Sequence, residues 1–202
     1  MLKKILMILS VSLLVTKAYA NEIGWSTYPL KENQRILTAQ FGGVFSSGGG
    51  MGVTASYLQK LSQKWDVEAG AGFTGGERGF TLYGAGNYEI YPDYEKQPKV
   101  SIKGWYQYSN EYDSSVNRFY ASPLVSKSTL LWGNEAFPYL AIPTGVNLNY
   151  DNKQYSLFSA LTLGISGNIP WEKMKNMAMI LEGRLNITGS YSGLSFGFSH
   201  PI

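Results

Sequence analysis

Trp65-Asp66-Val67-Glu68-Ala69-Gly70-Ala71-Gly72-Phe73-Thr74 is the stretch on which the fold turns. Trp65, Val67, Ala69, Ala71 and Phe73 alternate strictly with Asp66, Glu68, Gly70, Gly72 and Thr74. A strand points successive side chains to opposite faces, so this segment has one apolar face and one small or charged face. The same pattern recurs over residues 35–46, 51–61, 80–91, 99–109, 118–128, 137–150, 154–165, 176–188 and 191–199. Turn-forming stretches separate the segments, among them Ser46-Ser47-Gly48-Gly49-Gly50, Gly75-Gly76-Glu77-Arg78-Gly79, Pro92 to Pro98, Tyr150-Asp151-Asn152-Lys153 and Gly189-Ser190. The expectation is an all-β chain forming an antiparallel up-and-down transmembrane β-barrel of about ten strands.

A soluble sandwich also alternates, but its outer face is rich in Lys, Glu and Arg. Here charged residues make up 15% of the chain, against about 25% in ordinary soluble domains. The polar phase is mostly Gly, Ser, Thr, Asn and Gln. Leu37, Ala39, Phe41 and Phe45 oppose Thr38, Gln40, Gly42 and Ser46; Tyr155, Leu157, Leu161, Leu163 and Ile165 oppose Ser156, Ala160, Thr162 and Gly164. Small polar residues suit a narrow lumen, and the apolar phase suits lipid. Ten residues at about 3.3 Å each, tilted about 40°, span about 25 Å, the apolar height of an outer-membrane barrel. Tyr57, Trp65, Tyr88, Tyr91, Tyr108, Tyr150 and Tyr155 fall near segment ends, as membrane-interface aromatics do.

The N-terminus reads as a signal peptide over residues 1–20. Lys3 and Lys4 precede an apolar run from Ile5 to Val15, and Ala18-Tyr19-Ala20 precedes cleavage between Ala20 and Asn21. Lys3, Lys4 and Lys17 account for the formal charge of +3, so the remainder is neutral and offers no electrostatic case for nucleic acid as a partner. Residues 21–34 read as a short N-terminal periplasmic arm and 35–202 as the barrel. The chain has no cysteine, which excludes disulfides, thiolate metal sites and a lipidated cysteine anchor.

The segment from Arg118 to Pro143 carries Pro123, Pro138 and Pro143. Each lacks an N–H, and a closed barrel has no edge strand to hold it, so a bulge, strand end or broken ladder is expected there. If Leu130-Leu131-Trp132 belongs to no strand, the count falls to eight. Ile169 to Asn176 reads as a connection, and Asn110 to Asn117 as a short outer loop.

At the C-terminus, Tyr191-Ser192-Gly193-Leu194-Ser195-Phe196-Gly197-Phe198 resembles the β-signal of outer-membrane barrels. The resemblance implies that Tyr191, Gly193, Phe196 and Phe198 are read by the barrel-assembly machinery. The chain departs from that pattern in the Tyr at its first position and in Ser199-His200-Pro201-Ile202 beyond the usual end. Over residues 35–199 it resembles the small bacterial outer-membrane β-barrel superfamily with OmpA-like and opacity-protein-like porin members. That implies outer-membrane lipids and lipopolysaccharide as surroundings, and structural, adhesive, protective or narrow-pore roles.

Few residues carry chemistry. Gly70-Ala71-Gly72-Phe73-Thr74-Gly75 fits G-x-G-x-x-G, but strand-spaced residues follow in place of a helix, so it reads as lumen glycine and not as a cofactor loop. His200, the single histidine, is the one available base for Ser195 or Ser199 in a lipid A or phospholipid hydrolase. Glu68, Glu89, Lys103, Glu182 and Arg184 share the inward phase, where charges avoid a cost of about 2–4 kcal/mol each on the lipid face. They read as a salt-bridged plug or as a charged constriction. The sequence therefore favours an integral outer-membrane protein with a structural or envelope role, without catalysis, cofactor or metal. A narrow pore for small solutes is the first alternative, and a lipid-modifying enzyme or an exported ligand-binding barrel follow.

Overall fold

The computed structural model describes residues 27–46, 49–75, 78–111, 114–131, 133–169 and 177–202. The leader, its Ala20–Asn21 cleavage point, the first part of the arm and the connection at Trp171-Glu172-Lys173 lie outside the described residues. The strands are β1 (Arg35–Val44), β2 (Gly50–Lys60), β3 (Trp65–Thr74), β4 (Arg78–Tyr91), β5 (Lys99–Glu111) and β6 (Ser114–Ser126). They continue as β7 (Thr129–Leu131), β8 (Asn134–Ala141), β9 (Thr144–Asn149), β10 (Gln154–Asn168), β11 (Ala178–Thr188) and β12 (Gly193–Pro201).

Twelve segments make ten barrel strands. β8 and β9 are one strand interrupted at Ile142-Pro143: both pair with β6 and β10, and the register is the same on either side. Among the described residues β7 pairs with β8 alone, in a hairpin that follows Lys127-Ser128. Every sequential neighbour is antiparallel, and β12 pairs with both β11 and β1, so the ladder closes on itself. Thr38 and Ser199 face each other across the closing seam with hydroxyls 2.8 Å apart. Following paired residues once around returns to β1 about twelve residues along, the stagger that tilts ten strands by about 40°.

The three prolines sit where the ladder is already broken. Pro123 and Pro138 present their carbonyls to Ile142 N (3.1 Å) and Lys127 N (3.2 Å), so their missing donors face the β8–β9 interruption and the end of β6. Pro143 accepts from Ala160 N (3.1 Å) beside the bulge that offsets β10 from β11 after Ser159. The lost N–H groups thus fall at irregular points of the wall. This gives ten strands, not eight, with Leu130 and Leu131 in β7, which pairs with β8; Trp132 lies outside the described residues.

The strands outrun the sequence pattern at the end remote from the termini. β5 continues to Glu111 and β6 begins at Ser114, so the outer loop expected over Asn110 to Asn117 is mostly ladder. Above the hydrocarbon both faces of a strand can be polar, and the alternation that marks a strand disappears. β12 does the reverse: it starts at Gly193, two residues late at the remote end, and extends to Pro201 at the other, with Ile202 N donating to Arg35 O (3.0 Å).

The exposure pattern inverts that of a soluble barrel. Phe73 and Leu157 are 65% and 68% exposed on the outer face, while Ser166 and Ala141 are 0% exposed inside. Leu37, Phe41, Val53, Leu82, Ile102, Phe119, Leu140, Leu163, Leu181 and Leu194 continue the outer belt. A wall that is apolar outside and polar within is a barrel built to cross a bilayer.

Glycine sets how tightly the lumen packs. Gly70 on β3 is the cross-strand partner of Tyr83, and Gly164 on β10 that of Tyr139. Each ring lies on its glycine so closely that a Cβ there would overlap the phenol. At Gly84, by contrast, a Cβ would meet only the Glu68 carbonyl oxygen, at 4.0 Å, an ordinary contact. Gly70→Ala and Gly164→Ala are each expected to destabilise the barrel by about 1–3 kcal/mol through overpacking, with Gly84→Ala near neutral. The temperature at which gel mobility shifts on heating measures the difference, and equal shifts for all three variants would refute the account.

Candidate functional site in the barrel lumen

The inward phase is fixed strand by strand: residues 66 and 68 on β3, 83 to 89 on β4, 99 to 111 on β5, 118 to 126 on β6 and 180 to 184 on β11, each at every second position. Near the end where the chain enters and leaves, three lysines meet three carboxylates. Lys60 pairs with Asp66 (3.1 Å), Lys99 with Glu89 (3.2 Å) and Lys103 with Glu68 (2.5 Å). Asn87 donates a further bond to Asp66 (2.8 Å). Lys60–Asp66 is a direct cross-strand pair; Glu68–Lys103 reaches over β4 from β3 to β5.

The middle of the lumen is aromatic. Tyr83 stacks on Trp105 (centroids 4.7 Å), Trp105 on Tyr120 (5.4 Å), and Phe158 meets Tyr120 edge-on (5.3 Å). Tyr139, Leu124 and Ala141 complete this buried cluster. Lys103 Nζ lies 4.7 Å from the Trp105 ring centroid, joining the ionic layer to the aromatic one. Tyr83 donates to Glu68 (3.3 Å), and Tyr139 reaches across β10 to donate to Glu182 (2.6 Å).

Toward the far end, Arg118 forms a bidentate pair with Glu111, both contacts 2.6 Å, and donates to Ser109 (3.2 Å) and Asn147 (2.9 Å). The Arg184 guanidinium lies 5.1 Å from the ring of Tyr191. The charges singled out from sequence are thus placed as Glu68 with Lys103, Glu89 with Lys99, Glu182 with Tyr139, and Arg184 over Tyr191.

Sequence reasoning missed Lys60, Asp66, Lys99, Glu111 and Arg118, and it filled the lumen with small polar residues where the structure also places Tyr83, Trp105, Tyr120, Tyr139 and Phe158. The signal was available in β5, where Trp105 shares its phase with Lys103 and Gln107 while Ile102 and Tyr106 face out.

The remaining candidates are separated by the same parity. Ser195 and Ser199 are buried on the inward phase, whereas His200 is exposed on the outward one, so β12 does not bring the serines and the histidine together. Gly70 and Gly72 lie within β3, and the segment after them is strand β4, not a helix. In the C-terminal motif, Tyr191 and Gly193 are buried, while Phe196 and Phe198 touch edge-on at 4.7 Å on the outward phase.

Neither a protein-family model nor a curated protein matches the sequence. Among solved structures, the chain is similar to a de novo designed transmembrane β-barrel, at 13% identity over 87% of this chain and 100% of that one, with a TM-score of 0.42. It is also similar to an outer membrane channel of Pseudomonas putida F1, at 8% identity over 90% of this chain and 100% of that one, with a TM-score of 0.49. Neither likeness carries a function to this chain, and no family match assigns it to the OmpA-like or opacity-protein-like group that its pattern resembles.

Two outcomes follow from the paired charges. Lys103→Met strands a buried Glu68 and is expected to cost about 3–5 kcal/mol, whereas the Glu68→Gln, Lys103→Met double variant recovers much of that loss. Denaturation of the refolded barrel checks the order, and a double variant weaker than the single would contradict it. Outside the membrane span, Asp93 binds Lys127 and accepts from Ser128 N (2.6 Å). Burial raises its carboxyl pKa, but the bonds from Lys127 and Ser128 outweigh this and hold it below the ordinary value. A lowered pKa stabilises above the unfolded value of about 3.9 and ceases to do so as pH falls through the folded one. Protease nicking at residues 92–98 should therefore rise in acid below about pH 4 and should not change between pH 6 and 8.

Proposed function

We propose that this chain is an integral outer-membrane β-barrel with a structural, envelope-supporting role and a lumen closed by its own side chains. The observation that carries the reading is the near-complete burial of inward residues from the near end up to the level of Ser109, with inward Ser156 and Asn186 exposed only at the far mouth. Ser199 and Ser166 toward the near end, Ser122 and Thr162 at mid-height and Ser109 toward the far end all have almost no accessible surface. A water-filled channel would leave such small side chains open to solvent. The stacked rings from Tyr83 to Phe158 supply the barrier and the ion pairs brace it.

The same reading takes outer-membrane lipids and lipopolysaccharide as the surroundings of the apolar belt. It takes the last strand, with Phe196 and Phe198, as the element that the assembly machinery engages. No catalytic role is included, since the parity of β12 separates His200 from Ser195 and Ser199.

Two measurements test the proposal. Cell fractionation should place the protein in the outer membrane, with gel migration that shifts on boiling. In planar bilayers the purified barrel should show no single-channel steps, and the Trp105→Ala, Tyr120→Ala variant should conduct. Regular conductance by the unaltered protein would replace the closed barrel with the narrow pore, and a soluble, unshifted protein would overturn the membrane placement itself.

A further inference from the structure

Thr27 stands between two cavities. One, of about 20 Å³, lies inside the barrel and is lined in part by Glu68, Lys99, Ser101 and Lys103. The other, of about 300 Å³, lies at the mouth where the chain enters and leaves, among Glu32, Lys60, Glu89 and Asp93. Thr27 lines both. It is 4% exposed, and its Oγ1 donates to Phe137 O on β8 (3.1 Å) and lies 2.9 Å from Ser166 Oγ on β10. Beside it, the Tyr28 ring meets Phe137 edge-on at 5.5 Å.

The other end of this segment is tied differently. Asn33 N donates to Lys60 O and Lys60 N donates to Gln34 O, both at 3.0 Å, which extends the β1–β2 ladder by one step. Asn33 has a φ of 64°, a left-handed turn conformation that Asn tolerates, and the Gln34 side chain accepts from Lys31 N (2.9 Å). Backbone bonds thus fix the segment at Asn33-Gln34, while among the described residues the Thr27 end is held by one hydroxyl and one ring contact.

We propose that residues 27–34 form a hinged strap that closes this mouth of the barrel. Asn33-Gln34 on β2 is the hinge, and Thr27, seated between β8 and β10, is the latch. Lifting the latch merges the two cavities into one vestibule walled by paired lysines and carboxylates, which admits water and small hydrophilic solutes as far as the aromatic layer. Hydroxyl hydrogen bonds exchange readily with water and ring contacts are weak, so the latch opens at far lower cost than the ladder behind it.

The absence of cysteine makes the test direct, because every thiol present is an introduced one. Ser101→Cys places a near-isosteric reporter in the inner cavity, behind Thr27 and on the near side of Trp105. Its rate of modification by a small methanethiosulfonate reagent is measured on the refolded full chain, with Lys96→Cys on the exposed loop as the reference. With the strap intact, modification at position 101 should be slow. Adding Thr27→Gly and Tyr28→Gly should speed it by about tenfold or more, with the rate at position 96 unchanged.

A second arm works in the opposite direction. Thr27→Cys with Ser166→Cys, oxidised, should lock the strap and slow modification at 101 relative to the same protein before oxidation. Heat-shifted migration certifies that each variant is folded, and if the loosened variant fails to refold, the locked arm decides alone. Equal rates at 101 with the strap intact and loosened, or a lock without effect, would overturn the strap. Ser101 lies before the aromatic layer, and the conductance measurement separately reports any path to it past the rings.

Discussion

Inside hydrocarbon, a backbone N–H or C=O without a partner has no water to turn to, and this constraint governs the whole molecule. The chain meets it with a ladder that closes from β12 back to β1, through nine cross-strand pairs from Ile36–Pro201 to Val44–Gly193. The β4–β5 ladder has register shifts near both of its ends and β10–β11 has one after Ser159, but the prolines inside the wall are grouped. Pro123, Pro138 and Pro143 gather around one interrupted strand and one rim corner, so that a single disturbed sector absorbs all three missing donors. Had they been scattered around the barrel, each would have opened a separate gap in the ladder.

Closure with ten strands fixes a narrow interior, and that dictates what fills it. Large rings fit only where the facing strand gives way, hence Tyr83 on Gly70 and Tyr139 on Gly164. Once seated, the phenols reach carboxylates beyond their glycines, and those carboxylates bring in Lys103 or neighbour Arg184. Packing and electrostatics are therefore one arrangement. Glu68–Lys103 spans β4 and Tyr139–Glu182 spans β10, so side-chain bonds tie together strands that the ladder does not pair directly.

How far this was legible from sequence follows from the same physics. β3 was read to the residue because both its faces lie within the hydrocarbon height, where lipid and lumen impose opposite chemistry on alternate positions. At the far end of β5 and β6 both faces are polar, and Glu111 looked like a loop residue and Arg118 like the start of a strand, although they form a tightly bonded buried pair. The aromatic layer was obscured because Tyr and Trp also favour membrane interfaces; only the phase of Trp105 with Lys103 distinguishes an inward ring from a girdle ring. The strap at Thr27 left no sequence signal, since a lone hydroxyl gains its meaning from Ser166 and Phe137, more than a hundred positions away.

The balance of charge in the lumen bears on what such a barrel can do. Lys60, Lys99 and Lys103 are matched singly by Asp66, Glu89 and Glu68, and Arg118 by Glu111. A pore that selects by charge exposes a surplus of one sign at a constriction, where the low-dielectric wall sharpens the field felt by a passing ion. Pairing at bonding distance removes that surplus and replaces a field with crosslinks. The most strongly charged layer also lies on the strap side of the aromatic stack, where it can be hydrated from one mouth without opening a path to the other. On the proposed reading charge, rings and strap divide the labour: the ion pairs brace the wall, the rings separate the two ends, and Thr27 determines whether the braced chamber is wet.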